Sequence, residues 1–200
     1  MTQKSLFIVL DGIDGCGTTT HSQLLAGFLE HKKGFKVHLT QEPSKSDIGK
    51  LLRKFLKNKE IPPTTDALLF AADRDLHYHN EIKKKLDDGY MVISDRYIES
   101  SIIYQSIQSD RITIEWVKEL NKFIGHPDIT IILDIDPKIA LARKNGEYLE
   151  KFENNTFLDK VRNLYLSRAK QEGYHIISSD DIIEFVQEKI QKLVLDMLNT

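Results

Sequence analysis

Ser5-Leu-Phe-Ile-Val-Leu10, followed by Asp11-Gly-Ile-Asp-Gly-Cys-Gly-Thr-Thr-Thr20, is the stretch on which the reading of this chain turns. An apolar, β-branched run stops at an acidic residue and a glycine-rich turn follows. Hydroxyl residues then open a segment in which Leu24, Leu25, Phe28 and Leu29 recur at helical spacing. Strand, glycine loop and helix are the context a phosphate-binding loop requires. Gly12 and Gly17 stand at the spacing of that loop, and Thr19 takes the place of the hydroxyl that ligates magnesium. The residue between Gly17 and Thr19 should be lysine. It is Thr18. Without the lysine, the same residues also fit a tight strand-to-helix turn whose glycines simply permit positive φ.

Outward from this stretch, Val37–Thr40, Met91–Ser94, Ile129–Asp134 and His175–Ser178 read as four more short strands. Helices are expected at about 18–33, 48–56, 65–88, 98–106, 113–123, 137–142, 156–170 and 182–198, several of them stopped by glycine. On the long helix at 65–88, Leu68, Leu69, Ala72, Leu76, Ile82 and Leu86 are expected to supply the buried stripe. The segment 145–155 is polar and aperiodic, a candidate mobile loop. Strands alternating with helices imply an α/β fold, a parallel five-stranded sheet with helices on both faces and right-handed crossovers. In such sheets ligands bind at the carboxyl ends of the strands. That rim gathers Asp11 to Thr19, Gln41 to Ser44, Asp95 to Tyr97, Asp134 to Pro137 and Ser178 to Asp181.

Composition narrows the class. Two hundred residues suit one compact domain, and 40% hydrophobic with 29% charged residues is ordinary for a globular protein. A net charge of −2 argues against nucleic acid as a partner, although a small anion remains compatible. The single cysteine, Cys16, excludes an internal disulfide framework and fits a reducing, cytoplasmic setting. No apolar run approaches the roughly 20 residues of a membrane span, and the N-terminal run is too short for a signal peptide.

At the rim, Asp95-Arg96 directly after a buried strand suggests magnesium contact for the carboxylate and phosphate clamping for the guanidinium, whose planar fork matches phosphate geometry. The competing reading is an internal ion pair. Phe70, Arg74 and His77 fall at i, i+4 and i+7 and share a helix face, so an aromatic plane beside a guanidinium is available to a nucleobase. Core packing for Phe70 and solvation for Arg74 is the alternative. Lys45, Arg53, Arg143, Lys144 and Lys151 are further basic residues near the rim or the polar loop; solvated positions and phosphate contacts are both open to them.

These residues match a known pattern. The chain resembles the thymidylate kinase family nearly end to end. The resemblance is carried by Phe7-Ile-Val-Leu-Asp-Gly-Ile-Asp-Gly15, Glu42-Pro43 with Ile48-Gly49, Leu68-Leu-Phe-Ala-Ala-Asp-Arg74 and Asp95-Arg-Tyr97. Ser100-Ser101, Tyr104-Gln105, Pro127-Asp128, Leu141-Ala-Arg143, Phe152-Glu153 and the 161–165 helix continue it. The resemblance implies a P-loop-type nucleoside monophosphate kinase domain over 1–200 with a lid at about 144–155, using ATP and Mg²⁺ on thymidine monophosphate and working as a homodimer. It implies that Gly12, Asp14, Gly15, Cys16, Gly17, Thr18, Thr19, Thr20 and Arg143 bind the donor, with Thr19 and Asp95 at the metal. For the acceptor it implies Asp14, Glu42, Pro43, Arg53, Phe70, Arg74, Arg96, Ser100, Tyr104 and Gln105, with Phe70 stacked on the base. Asp95, Arg96, Thr18 and Lys151 are the residues expected at the reacting centre.

Two departures bear on this expectation. Thr18 replaces the lysine that reaches the transferring phosphates, and the loop offers Gly15 and Cys16 where some family members carry an arginine, which leaves Lys151 as the basic residue of the lid. One lost charge-stabilising donor is worth about 10²–10³ in rate, whereas enzymes exceed the uncatalysed rate by about 10⁶ or more. The expected function is therefore phosphoryl transfer from ATP to thymidine monophosphate. A weakly active or non-catalytic nucleotide-binding relative, and a deoxynucleoside kinase, are the alternatives.

Overall fold

The computed structural model describes residues 5–58, 60–143 and 155–199. They form one parallel sheet of five strands: β1 (Phe7–Gly12), β2 (Val37–Gln41), β3 (Met91–Asp95), β4 (Ile129–Asp134) and β5 (His175–Ser178), in the spatial order β2-β3-β1-β4-β5. The three central strands are buried on both faces, which is why they read as unbroken apolar runs. In β1, Ile8 and Leu10 face the larger core, whereas Phe7 and Val9 face a smaller one on the other side.

The larger core is closed by α1 (Thr18–Gly27), α7 (Pro137–Arg143), α8 (Asn155–Glu172) and α9 (Ile183–Leu198), through Leu25, Ala140, Val161, Val186 and Ile190. The smaller one is closed by α5 (Ile98–Gln108) and α6 (Ile114–Leu120), through Ile98, Ile102 and Val117. Between β2 and β3 lie α2 (Asp47–Phe55) and α3 (Pro63–His77), and a short α4 (Lys83–Asp87) leads into β3. Two helices expected to be continuous are interrupted by π-helical turns: Phe28–Lys32 follows α1, and Tyr78–Ile82 joins α3 to α4. The polar segment expected as a loop or lid, with Lys151, lies outside the described residues except for Asn155, which begins α8.

The expected stripe of α3 is corrected by the structure. Leu68, Ala72 and Leu76 are exposed and Leu69 only half-buried, whereas Asp66, Ala67, Asp73, Arg74 and His77 are buried. The helix turns its polar face inward because that face is satisfied there. Asp73 alone accepts from the Ser44 amide (2.6 Å), the Ser44 hydroxyl (2.6 Å) and the Ser46 hydroxyl (2.6 Å).

The chain leaves β1 at Gly12, whose φ is +154°. A Cβ there would meet the Leu133 carbonyl oxygen at 2.6 Å and Cys16 Sγ at 2.8 Å. The neighbour is backbone of the central sheet and cannot yield cheaply. Gly12→Ala is expected to cost about 1–3 kcal/mol and to lower Tm by roughly 2–10 °C, measured by calorimetry.

Candidate active site

Beyond Gly12 the loop closes on itself through the Cys16 amide, which donates to the Ile13 carbonyl (3.1 Å), and α1 starts at Thr18. Gly15 has φ +84°, and a Cβ on it would stand 2.5 Å from the Ala140 carbonyl oxygen, so α7 packs directly on the loop backbone. Cys16 fills the space beneath. Burial pushes its thiol up to about 12, leaving it a small apolar filler with negligible thiolate.

The loop forms one wall of an open cleft of about 1470 Å³. Gly15, Gly17, Thr18, Thr19 and Thr20 line this wall; Arg143, Ser179, Asp181, Ile182 and Ile183 line the opposite one. Arg143 is placed by its Nη2, which donates to the Ser179 carbonyl (3.0 Å). A second, narrower pocket of about 450 Å³ lies on the far side of the loop. Phe70 and Arg74 from α3, Glu42 and Pro43 after β2, and Ser101, Tyr104 and Gln105 from α5 shape it.

Asp14 and Arg96 line both. Arg96 follows β3 with φ +69°, a left-handed conformation that costs an L-residue about 1–2 kcal/mol. Its Nη1 donates to the Gly12 carbonyl (2.8 Å) and the Ser100 hydroxyl (2.9 Å), and its Nη2 donates to Asp14 (2.7 Å). Burial opposes its charge, and Asp14, with Tyr104, Tyr165 and Asp11 around it, more than offsets that, so the guanidinium stays protonated. Backbone strain held in place by this many partners is characteristic of a functional position.

Beneath Arg96 sits Asp11, fully buried. Burial pushes its carboxyl above the ordinary range, against the pull of Arg96 and of hydrogen bonds from Tyr165, Ser100 and the Gly12 amide. Tyr165 (2.7 Å) and Ser100 (2.7 Å) both donate to it, which ties α8 and α5 to the root of the loop. Tyr104 completes the junction: its hydroxyl donates to Asp14 Oδ2 (3.2 Å) and accepts from the Asp14 amide (3.2 Å).

Asp95 accepts from the Thr19 hydroxyl through Oδ2 (2.5 Å), joining the end of β3 to the start of α1. Its other oxygen, Oδ1, is buried and has no hydrogen-bond partner among the described residues. An orphaned carboxylate oxygen beside a threonine hydroxyl is a hard-oxygen donor set that suits Mg²⁺. This ion is commonly held by one or two carboxylates with the remaining positions filled by water and phosphate.

In the narrower pocket, Arg74 is almost completely buried and oriented from three sides. Nε donates to Glu42 (2.7 Å), Nη1 to Asn121 (2.8 Å) and Nη2 to the Ser101 hydroxyl (2.7 Å). The face of Phe70 is half-buried beside it. Gln105 is buried, and its Oε1 has no partner among the described residues.

The residues expected at the site thus converge, with differences of placement. Glu42, Pro43, Phe70, Arg74, Ser100, Tyr104 and Gln105 line the narrow pocket; Gly15, Gly17, Thr18, Thr19, Thr20 and Arg143 line the wide one; Asp14 and Arg96 line both. Arg53 lines neither: its Nη1 donates to the Ser44 carbonyl (2.8 Å) and its Nη2 to the Pro43 carbonyl, so it braces the segment after β2. Gly12 and Cys16 shape the loop from beneath. Asp11 and Tyr97 are read from the sequence only as rim residues and Tyr165 only within a family-matching helix, each without a role of its own, and Asn121 has no signal there at all. Asp11 had a signal, a carboxylate closing a buried strand, while Tyr165 and Asn121 become visible only when α8 and α6 are packed in place.

A family profile described as thymidylate kinase matches residues 10–190. Among curated proteins, a probable thymidylate kinase of Pyrobaculum aerophilum is 45% identical over 190 residues, covering 94% of this chain and 95% of the relative. Another, of Methanosphaera stadtmanae, is 42% identical, covering 96% and 99%. A third, of Staphylothermus marinus, is 40% identical, covering 98% and 97%.

Proposed function

The chain belongs to the thymidylate kinase family, and on that premise we propose that its two pockets divide one reaction, phosphoryl transfer from ATP to thymidine monophosphate. The observation that carries this reading is the junction: a wide cleft at a phosphate-type loop and a narrow aromatic pocket meet at one half-buried guanidinium. The wide cleft takes ATP. The loop amides and the N-terminus of α1 attract its phosphates, so much of the loop's anion binding survives the loss of the lysine. Arg143 and Ile182 offer a cationic plane and an apolar surface to the base. The narrow pocket takes the acceptor, its base against Phe70 and the Arg74–Ser101 edge, and its phosphate toward Arg96. Arg53 acts through the Pro43–Ser44 backbone that it braces.

Phosphoryl transfer needs little covalent chemistry from a protein; it needs in-line placement and charge stabilisation. An oxygen of the acceptor monophosphate attacks the terminal phosphorus of ATP, and the bond to the ADP oxygen breaks as the new anhydride bond forms. Arg96 sits between donor and acceptor and stabilises charge on the moving group, in the region the missing lysine would have served. Thr19 and Asp95 would hold Mg²⁺, which neutralises phosphate charge when bound. Tyr104 and Asp14 keep Arg96 aimed in the meantime.

The test is acceptor selectivity in a coupled assay of ADP release. Thymidine monophosphate is expected to support turnover, and thymidine to support none. Equal turnover with the nucleoside would overturn the reading in favour of a nucleoside kinase.

The exposed row Leu68, Ala72 and Leu76 occupies i, i+4 and i+8 on the outer side of α3, with exposed Leu51 on the adjoining α2. A second copy would present the same row, as a two-fold interface requires, and a homodimer through this face completes the proposal. Light scattering is expected to give twice the chain mass of 23.1 kDa, and Leu68→Glu is expected to return the monomer. Among the described residues no helix is long and apolar enough to cross a membrane.

A further inference from the structure

We propose that His77 is a positioning residue for the acceptor, a ring that donates from both nitrogens and thereby fixes Glu42 and, through it, Arg74. The proposal deepens the kinase reading and rests on it. His77 closes α3 one residue before the π-helical turn, its side chain fully buried. Nδ1 lies 3.2 Å from Glu42 Oε1, and Nε2 lies 2.7 Å from Thr40 Oγ1 on β2. The other oxygen of Glu42 accepts from Arg74 Nε (2.7 Å).

Proton counting sets the form of the ring. Thr40 has one hydroxyl proton, and its Oγ1 lies 2.9 Å from Glu81 Oε1, which also accepts from His38 Nε2 (2.8 Å). Glu81 is held below the ordinary carboxylate range: burial works against its charge, and the hydrogen bonds from His38 and Thr40, with His77 nearby, outweigh it. An ionised carboxylate only accepts, so the Thr40 proton goes to Glu81 and Thr40 Oγ1 accepts from His77 Nε2. Glu42, whose Oε2 already accepts from Arg74, accepts from His77 Nδ1. Both ring nitrogens therefore face acceptors and donate.

The consequence is a connected relay, His38–Glu81–Thr40–His77–Glu42–Arg74, that runs from the edge of the sheet to the acceptor pocket. Arg74 and Glu42 form a pair buried to within a few per cent. Such a pair is stable only when its remaining valences are met, and His77 meets the free oxygen of Glu42. No part of the relay lines the donor cleft, so its loss should register on the acceptor alone.

The test has two arms. In the wild-type protein, ¹⁵N spectra of the histidine side chains at neutral pH are expected to show a proton on each nitrogen of His77; an unprotonated nitrogen there overturns the proposal whether or not the protein turns over. In steady-state kinetics, His77→Gln is expected to raise the KM for thymidine monophosphate roughly 10- to 100-fold, as loss of a charge-assisted hydrogen bond implies. The KM for ATP and kcat should stay within about threefold, well under the tenfold that one such bond is worth. Thr40→Val is expected to move the same parameter in the same direction, and Thr40→Ser to restore it; this pair keeps the test open if the histidine variant fails to fold. An unchanged acceptor KM in Thr40→Val, or equal losses in kcat and both KM values, reduces His77 to a structural residue. Absence of wild-type turnover counts against the kinase reading and leaves the spectroscopic arm standing.

Discussion

Arg96→Met lowers kcat for phosphoryl transfer by about 10²- to 10³-fold, and this is the largest loss expected from any single substitution at the site. Arg96 lines both pockets and is bonded to Asp14, Ser100 and the Gly12 carbonyl. In an ordinary phosphate-binding loop, a lysine and such an arginine share the charge on the moving group. Here position 18 is threonine, so the share that falls to Arg96 is larger. Arg96→Lys should recover part of the rate only, because an ammonium keeps the charge without the planar fork. Asp14 loses its ion pair in the methionine variant, so some stability is lost as well. Thermal unfolding in parallel separates the two effects: the variant is expected to fold, and to bind ATP, while transfer fails. A kcat within a few-fold of wild type would mean that another cation carries the charge.

Asp95→Ala is expected to reduce kcat by about 10²-fold, on the several kcal/mol that a correctly held metal contributes, and to raise the magnesium concentration for half-maximal rate. Its effect on stability should be small or favourable. Asp95 Oδ1 is buried without a partner among the described residues, and Oδ2 serves only the Thr19 hydroxyl, so removing the carboxylate relieves a desolvation cost and frees one exposed side chain. Lost activity with a retained or raised Tm distinguishes a functional carboxylate from a structural one. A variant that unfolds and loses activity in proportion would contradict the assignment.

How much of this was legible in the chain follows from where the apolar residues go. The strands were legible because β1, β3 and β4 are buried on both faces, which leaves continuous apolar runs. The rim was legible for the same reason: the residues that end those runs, Asp11 and Asp95 with Arg96, are polar where the strand stops. α3 was misread because helical periodicity assigns the apolar stripe to the core. In this helix the buried face includes Asp66, Asp73, Arg74 and His77, the last three held by partners from distant parts of the chain, while Leu68 and Leu76 face out. Nothing in a single sequence announces those partners. Arg53 shows the same limit. Its basic character near the rim was visible, but its bonding to two backbone carbonyls depends on a turn that periodicity does not describe. The left-handed Arg96 and the π-helical turn beside His77 are likewise products of packing.

Thr18 is the residue on which the chemistry turns. It opens α1 almost completely buried, and it lines the cleft without any charge to offer. On the proposed reading, charge stabilisation falls to the loop amides and Arg96, and a loop lacking its lysine still transfers. The direct measurement is to follow labelled terminal phosphate of ATP in the wild-type protein with thymidine monophosphate and magnesium. The label is expected in thymidine diphosphate, formed one-for-one with ADP. Label that stays in ATP or passes to water, while both nucleotides still raise Tm, would mean that the chain binds nucleotides without transferring phosphate between them.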